Sequence, residues 1–249
     1  MIIDRAEHPM YVSNSYLLAE GEGGGPGLIV DGHGEGAKLI ERAQADGIVV
    51  EKIVLTHHHA DHVDVAEYRE AFGAPVVASE LTAELIDTEV DETYADGDTI
   101  SAGALELRAI ATPGHCADHF ALLSGDGDVI TADVLFKGTV GGTMAPGATG
   151  FADLKGSIMD KLMTLPAETR VHPGHTLPTT IGEEWEQNPF VRIWRGLDEQ
   201  GDERCTVWER DATLVLWAPD YDGTNKAWVR FEDDGQDAIV GGSQVVRGD

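Results

Sequence analysis

The chain has 249 residues, 17 basic against 45 acidic, for a formal charge of −28. That length suits a layered α/β domain with a substantial core, and 42% hydrophobic with 25% charged residues is globular composition rather than disorder. A surface this acidic repels phosphate backbones and anionic headgroups, which argues against nucleic-acid or membrane partners and leaves a small-molecule substrate; acidity alone also fits a salt-adapted surface.

The opening Met1-Ile2-Ile3-Asp4-Arg5-Ala6-Glu7 lacks a basic segment followed by an apolar one. No apolar run approaches the roughly 18 to 20 residues of a bilayer crossing, so a cytoplasmic protein is expected. Cys116 and Cys205 are far apart, without the spacing of a disulfide framework.

Tyr16-Leu17-Leu18-Ala19 and Gly27-Leu28-Ile29-Val30-Asp31 read as two strands joined by the Gly- and Glu-rich turn from Glu20 to Pro26. Ala37, Leu39, Ile40 and Ala43 recur at helical spacing, and Gly47 follows as a C-cap. Lys52-Ile53-Val54-Leu55 is a short buried strand leading into Thr56-His57-His58-His59-Ala60-Asp61-His62. A helix is predicted from Val63 to Phe72, closed by Gly73, then a strand at Ala74-Pro75-Val76-Val77-Ala78 and a helix started by Ser79 and Thr82. Strands follow at Thr99-Ile100, Leu105 to Ile110, Phe120 to Leu123 and Val129 to Ala132, the last ending at Asp133. Leu154 to Leu165 reads as one amphipathic helix, and Arg170-Val171-His172 as a strand before Pro173-Gly174-His175. Strands interleaved with helices in both halves indicate an α/β sandwich in residues 1–200. After Gly201 two strands around the turn Asp220 to Asn225 suggest a β appendage, 201–249, packed on the main domain. Trp208, Trp217 and Trp228 are expected to pack that appendage rather than form a ligand platform.

The ten histidines are not scattered. His57 and His59 alternate after a strand, so extended spacing turns both imidazoles one way, toward one ion. Asp61 and His62 sit where the chain turns into a helix and can face a neighbouring point. Imidazole with carboxylate suits zinc or iron, and these groups are costly to crowd together without a cation. His115, Asp133 and His175 also lie at the ends of apolar strands, where α/β folds place their sites. His58 is expected to point away from the metals. Asp118 and His119 stand as either orienting groups or loop residues, and His33 and His172 read as surface or core histidines. Cys116 adjoins His115, but neighbours in extended chain point apart, so it is not read as a nucleophile. Gly23-Gly24-Gly25 has no following Lys-Ser/Thr and is not a phosphate loop.

Thr56-His57-His58-His59-Ala60-Asp61-His62 resembles the T-H-x-H-x-D-H signature of the metallo-β-lactamase-fold hydrolases, and His115, Asp133 and His175 follow in that family's order. The similarity covers roughly residues 10 to 195 and looks most like the glyoxalase II-like (hydroxyacylglutathione hydrolase-like) branch. Asp133-Val134-Leu135-Phe136, Pro173-Gly174-His175, Thr180-Ile181-Gly182-Glu183-Glu184 and Asn188-Pro189-Phe190 carry that likeness. The resemblance implies an αββα four-layer sandwich and two divalent metal ions, zinc first, with iron or manganese as alternatives. It assigns His57, His59 and His115 to the first ion, Asp61, His62 and His175 to the second, and Asp133 to the bridge.

Such a pair of cations would lower the pKa of a bridging water from about 16 toward 7 and polarise a carbonyl. The catalytic roles fall to Asp133 and to Asp61, which can also orient the nucleophile. A thioester suits this arrangement, because its thiol leaving group has a pKa of about 8.5 and needs little acid catalysis. The alternatives are a mononuclear iron persulfide dioxygenase, a lactone or phosphodiester hydrolase of the same fold, and a non-catalytic metal-stabilised binding protein. The Cys ligand of the best-known β-lactamase subclass is replaced here by Asp133, which argues against antibiotic hydrolysis. The chain departs from the branch at Gly142 and Met144, where glyoxalase II-like proteins carry a basic residue and an aromatic for glutathione. The β appendage is expected to stand in place of the helical C-terminal domain of the branch's longer enzymes. The chemistry is therefore expected to carry over without the glutathione preference.

Overall fold

A computed structural model describes residues 1–21 and 23–248. Of the expected turn from Glu20 to Pro26, Glu22 lies outside the described residues, as does Asp249 at the end of the appendage. The chain forms two compact units, residues 1–111 with 118–132, and 112–117 with 133–249. The units divide within the first 200 residues, whereas sequence places the one boundary at 200/201. Among the described residues no helix is long and apolar enough to cross a membrane.

The first unit begins with β1 (Ile2–Glu7), β2 (Asn14–Ala19), β3 (Gly25–Val30), β4 (Gly32–His33), α1 (Ala37–Asp46) and β5 (Ile48–Val54). It continues through β6 (Val63–Asp64), α2 (Ala66–Phe72), β7 (Val76–Ser79), α3 (Glu80–Leu85) and β8 (Glu92–Tyr94). The strands β9 (Thr99–Ala102), β10 (Leu105–Ala111), β11 (Phe120–Ser124) and β12 (Asp128–Ala132) complete it. One sheet has the order β1-β2-β3-β5-β7-β8, antiparallel through β3 and parallel beyond it. Successive side chains of a strand point to opposite faces, and both faces of this sheet are apolar. Leu17, Ile29, Ile53 and Val76 pack with Leu39 and Ala43 of α1 and Tyr68 of α2. Their neighbours Leu18, Leu28, Val54 and Val77 pack with Ile100, Leu107, Ala109 and Leu122 of the antiparallel strands β9 to β12. The unit is thus helix on sheet on sheet.

The caps were legible. Gly47 (φ 68°) and Gly73 (φ 63°) end α1 and α2 in the left-handed region, and Ser79 caps α3 by accepting from the Thr82 amide. The helix expected from Val63 starts instead at Ala66, because Val63 and Asp64 pair in parallel with Gly32 and His33. Gly32 permits that approach, since a Cβ there would lie 2.6 Å from the Asp64 carbonyl oxygen.

The second unit contains β13 (Leu135–Phe136), β14 (Thr139–Val140), α4 (Phe151–Gly156), β15 (Arg170–Pro173), β16 (Thr179–Thr180), α5 (Ile181–Gln187) and α6 (Pro189–Trp194). The single helix expected over 154–165 is α4, then a π-turn at Ser157–Lys161 and a 3₁₀ turn at Leu162–Thr164. Gly156 and Ser157 are weak helix formers, and the Ser157 hydroxyl donates to the Pro113 carbonyl at 2.7 Å. Among the described residues beyond Gly201 the chain makes five strands, not two: β17 (Glu203–Val207), β18 (Arg210–Pro219), β19 (Asn225–Phe231), β20 (Asp237–Gly241) and β21 (Val245–Arg247). Their order is β20-β19-β18-β17-β21, around a core including Val207, Leu214, Val229, Phe231 and Val240. The strands missed from sequence are short and lack sustained alternation. Trp228 is buried with its ring 4.8 Å from that of Phe151, and Trp217 packs on the sheet's core. Trp208 is exposed at the β17–β18 turn.

Candidate metal centre

In the first unit β5 delivers Thr56 and the following histidines from the core. His57 and His62 are fully buried, while His59 and Asp61 are half-buried. The ring centroids of His57 lie 4.8 Å from His59 and 4.5 Å from His62. Asp31, at the end of β3, organises this set. Its Oδ1 accepts from the Thr56 amide at 2.8 Å and its Oδ2 from the Thr56 hydroxyl, also at 2.8 Å. His62 Nδ1 lies 3.1 Å from the same Oδ2, and His57 Nδ1 lies 3.0 Å from the Thr56 hydroxyl oxygen. With Asp31 ionised, both Nδ1 atoms donate inward, which fixes the tautomers and leaves each Nε2 with its lone pair. Asp31, His57 and His62 form a buried group with ligand atoms within 4.8 Å of one another. Asp31 already accepts three hydrogen bonds there, so the geometry makes it an orienting group. Sequence reading missed that role.

In the second unit His115, Asp133 and His175 are 8%, 5% and 3% exposed. Asp133 Oδ2 lies 3.5 Å from His115 Nε2 and 3.3 Å from His175 Nε2. Two atoms held about 2.05 Å from one tetrahedral ion are about 3.3 Å apart, so these separations, longer than the usual N–H···O bond, match ligand-to-ligand spacing. The pair His62 Nε2 and Asp61 Oδ2 in the first unit, at 3.6 Å, is similar. His115 Nδ1 donates to the Gly142 carbonyl at 2.9 Å, again turning Nε2 outward. The adjoining Thr143 is tied to β20, its amide donating to Ile239 O and its hydroxyl accepting from Ile239 N, both at 2.9 Å. Gly141 serves by its size, because a Cβ there would sit 1.9 Å from the Asp133 carbonyl oxygen. Gly114, at φ 138°, likewise leaves room for α4, whose Leu154 Cα a Cβ would meet at 2.3 Å.

Backbone strain marks the same places. Among the described residues six non-glycine residues have positive φ, and they include Asp31 (58°), Ala132 (39°) beside Asp133 and Thr176 (64°) beside His175. Such conformations cost about 1–3 kcal/mol each and gather where function over-determines the backbone. The donor chemistry, outward Nε2 atoms and ligand spacing fit metal binding.

The remaining candidates sort by contact. His58 Nδ1 pairs with Asp118 Oδ1 at 2.8 Å, and Asp118 Oδ2 accepts from the Thr82 hydroxyl, so Asp118 orients His58. His119 is buried with its ring 5.1 Å from His57. His33 and His172 are buried, and burial lowers the pKa of His33. Cys116 is buried as well. Tyr221, read from sequence only as part of a turn, stacks on His175 with centroids 4.2 Å apart and planes 14° from parallel.

Residues 9–175 match the family model described as the Metallo-beta-lactamase superfamily. A hydroxyacylglutathione hydrolase of Chelativorans sp. (strain BNC1) is 30% identical over 221 residues, covering 72% of this chain and 83% of that protein. Among solved structures, the BLEG-1 B3 metallo-beta-lactamase superposes with a TM-score of 0.69 at 25% identity, covering 76% of this chain and 99% of that one. ETHE1 from Myxococcus xanthus does so with a TM-score of 0.66 at 28% identity, covering 80% and 92%. The chain therefore belongs to the metallo-β-lactamase superfamily and has that superfamily's fold, of the α/β class.

Proposed function

We propose that this protein is a metal-dependent hydrolase of thioesters that uses two divalent ions, with His57, His59 and His115 holding one, Asp61, His62 and His175 the other, and Asp133 shared. The observation that carries this reading is the single oxygen Oδ2 of Asp133, at ligand spacing from the imidazoles of both His115 and His175. A carboxylate so placed offsets the repulsion between two dications. Bound there, the ions would supply hydroxide at neutral pH and polarise a carbonyl oxygen. Asp31 holds the protons on the inner nitrogens of His57 and His62, and Gly142 does the same for His115. Asp61, with a side chain 26% exposed, can accept a hydrogen bond from the attacking water and so aim it.

A thiolate leaves without a proton donor, which favours thioesters over amides. Glutathione thioesters are expected to be poor substrates. Gly142 offers no cation, and the nearest one in sequence, Lys137, lines a cavity of about 410 Å³ together with Glu183, Glu184 and Asp220. The carboxylates there outnumber it. A cytoplasmic small-molecule hydrolase without nucleic-acid or membrane partners is the setting this reading implies.

The test is a panel of neutral thioesters, S-lactoylglutathione, lactones and phosphodiesters on metal-loaded protein, with oxygen uptake recorded. Hydrolysis of neutral thioesters ahead of the rest, without oxygen uptake, is expected. Turnover of a persulfide with oxygen uptake would replace this reading by the dioxygenase one.

A further inference from the structure

The C-terminal sheet lies beyond residue 175, where the family match ends, yet it contacts His175 directly and braces the segment whose carbonyl holds His115. Through Ile239 it holds Thr143, the neighbour of the carbonyl that orients His115. Through the β18–β19 turn it places Tyr221 flat against His175. Phe136 completes the packing, its ring edge-on to His175 at 5.5 Å and to Tyr221 at 5.2 Å.

The turn is built to hold one position. Lys226 Nζ pairs with Asp220 Oδ2 at 3.0 Å, with side chains only 8% and 6% exposed. The same ammonium lies 5.2 Å from the centroid of the Tyr221 ring. The Asp220 amide donates to Thr224 O and the Tyr221 amide to Asp220 Oδ1, closing the loop. An ion pair so buried contributes little net stability, but it fixes geometry where its partners are well placed. Here it anchors the turn whose ring stacks on the His175 imidazole.

We propose that Tyr221 is a positioning residue for His175, so that the C-terminal sheet is part of the metal centre rather than an accessory to it. The inference rests on His175 being a ligand, as in the reading above. The ring does the positioning, and the phenol hydroxyl is not required.

The experiment follows zinc release from zinc-loaded protein to a colorimetric chelator, alongside unfolding midpoints of the metal-free proteins. Tyr221→Ala and Tyr221→Leu should release one zinc about tenfold faster than wild type, the scale typical of groups that orient a ligand. Tyr221→Phe should stay within about twofold, since stacking needs only the ring. His175→Ala should fail to retain that zinc at all. If His175→Ala loses the zinc while Tyr221→Ala and Tyr221→Leu release it at the wild-type rate, Tyr221 only packs, and lowered metal-free midpoints would show it. If His175→Ala keeps both zincs, the ligand assignment itself falls.

Discussion

The two units orient their imidazoles by different means. In the first, one buried carboxylate, Asp31, sets His62 directly and His57 through the Thr56 hydroxyl. In the second, a backbone carbonyl sets His115, and aromatic packing bears on His175. A charge-based network concentrates its control in one side chain, whereas carbonyl and ring contacts spread it over Gly142, Phe136, Tyr221 and the strands behind them. Single substitutions should therefore be sharper in the first unit than in the second.

The largest effect is expected from a residue proposed as a ligand. His59→Ala should lose a metal and more than about a hundredfold of hydrolysis, beyond the range seen for orienting groups, with circular dichroism unchanged. Wild-type turnover in that variant would remove His59 from the set. Next comes Asp31→Ala, which strips acceptors from the Thr56 amide, the Thr56 hydroxyl and the His62 ring at once. Metal affinity should fall about 10- to 100-fold, and the unfolding midpoint should drop because buried donors are left without acceptors. Unchanged affinity, measured by competition with a chelator, would show that orientation in the first unit does not depend on this carboxylate.

The substrate side gives a smaller effect. A Cβ at Gly142 would meet only Ile239 O, at an ordinary 3.6 Å, so the backbone there accepts a side chain's first carbon. Because the cation added in Gly142→Arg is remote from the reacting carbon, KM for S-lactoylglutathione should fall several-fold at low salt with kcat little changed. An unchanged KM would mean the thiol end of the substrate lies elsewhere.

The smallest concerns Glu184, whose carboxyl burial pushes above its ordinary value of 4.5, against hydrogen bonds from Asn188, Thr179 and the Gly138 amide. The folded state thus holds this proton more tightly than the unfolded chain. Its contribution is fully present below pH 4.5 and is lost as pH rises through the raised folded value. Glu184→Gln should flatten urea stability across that window, and an unaltered profile would show that Glu184 does not set it.

Much of this was legible in the sequence where the chemistry was local. His57, His59, Asp61 and His62 fall within six residues, and the apolar strands before Asp133 and His175 pointed to strand ends. Gly47, Gly73 and Ser79 announced their caps. Asp31 escaped because a lone aspartate after a strand is ordinary, and its partners stand 25 and 31 residues away. Tyr221 escaped because the Asp-, Gly- and Asn-rich sequence around it says turn and nothing about what the turn touches. The π-turn after Gly156 escaped because apolar spacing does not distinguish hydrogen-bond patterns within one helical run.

Metal stoichiometry in wild type and Asp133→Asn tests the central claim most directly, that two separately oriented ligand sets hold two ions through one shared carboxylate. Titrating metal-free protein with zinc should saturate near two ions per wild-type chain. Asp133→Asn should keep at most about one ion and lose thioester hydrolysis, since a neutral amide cannot offset the repulsion of two dications. A wild type that saturates at one ion, or an Asp133→Asn protein that binds two at unchanged affinity, would contradict the account.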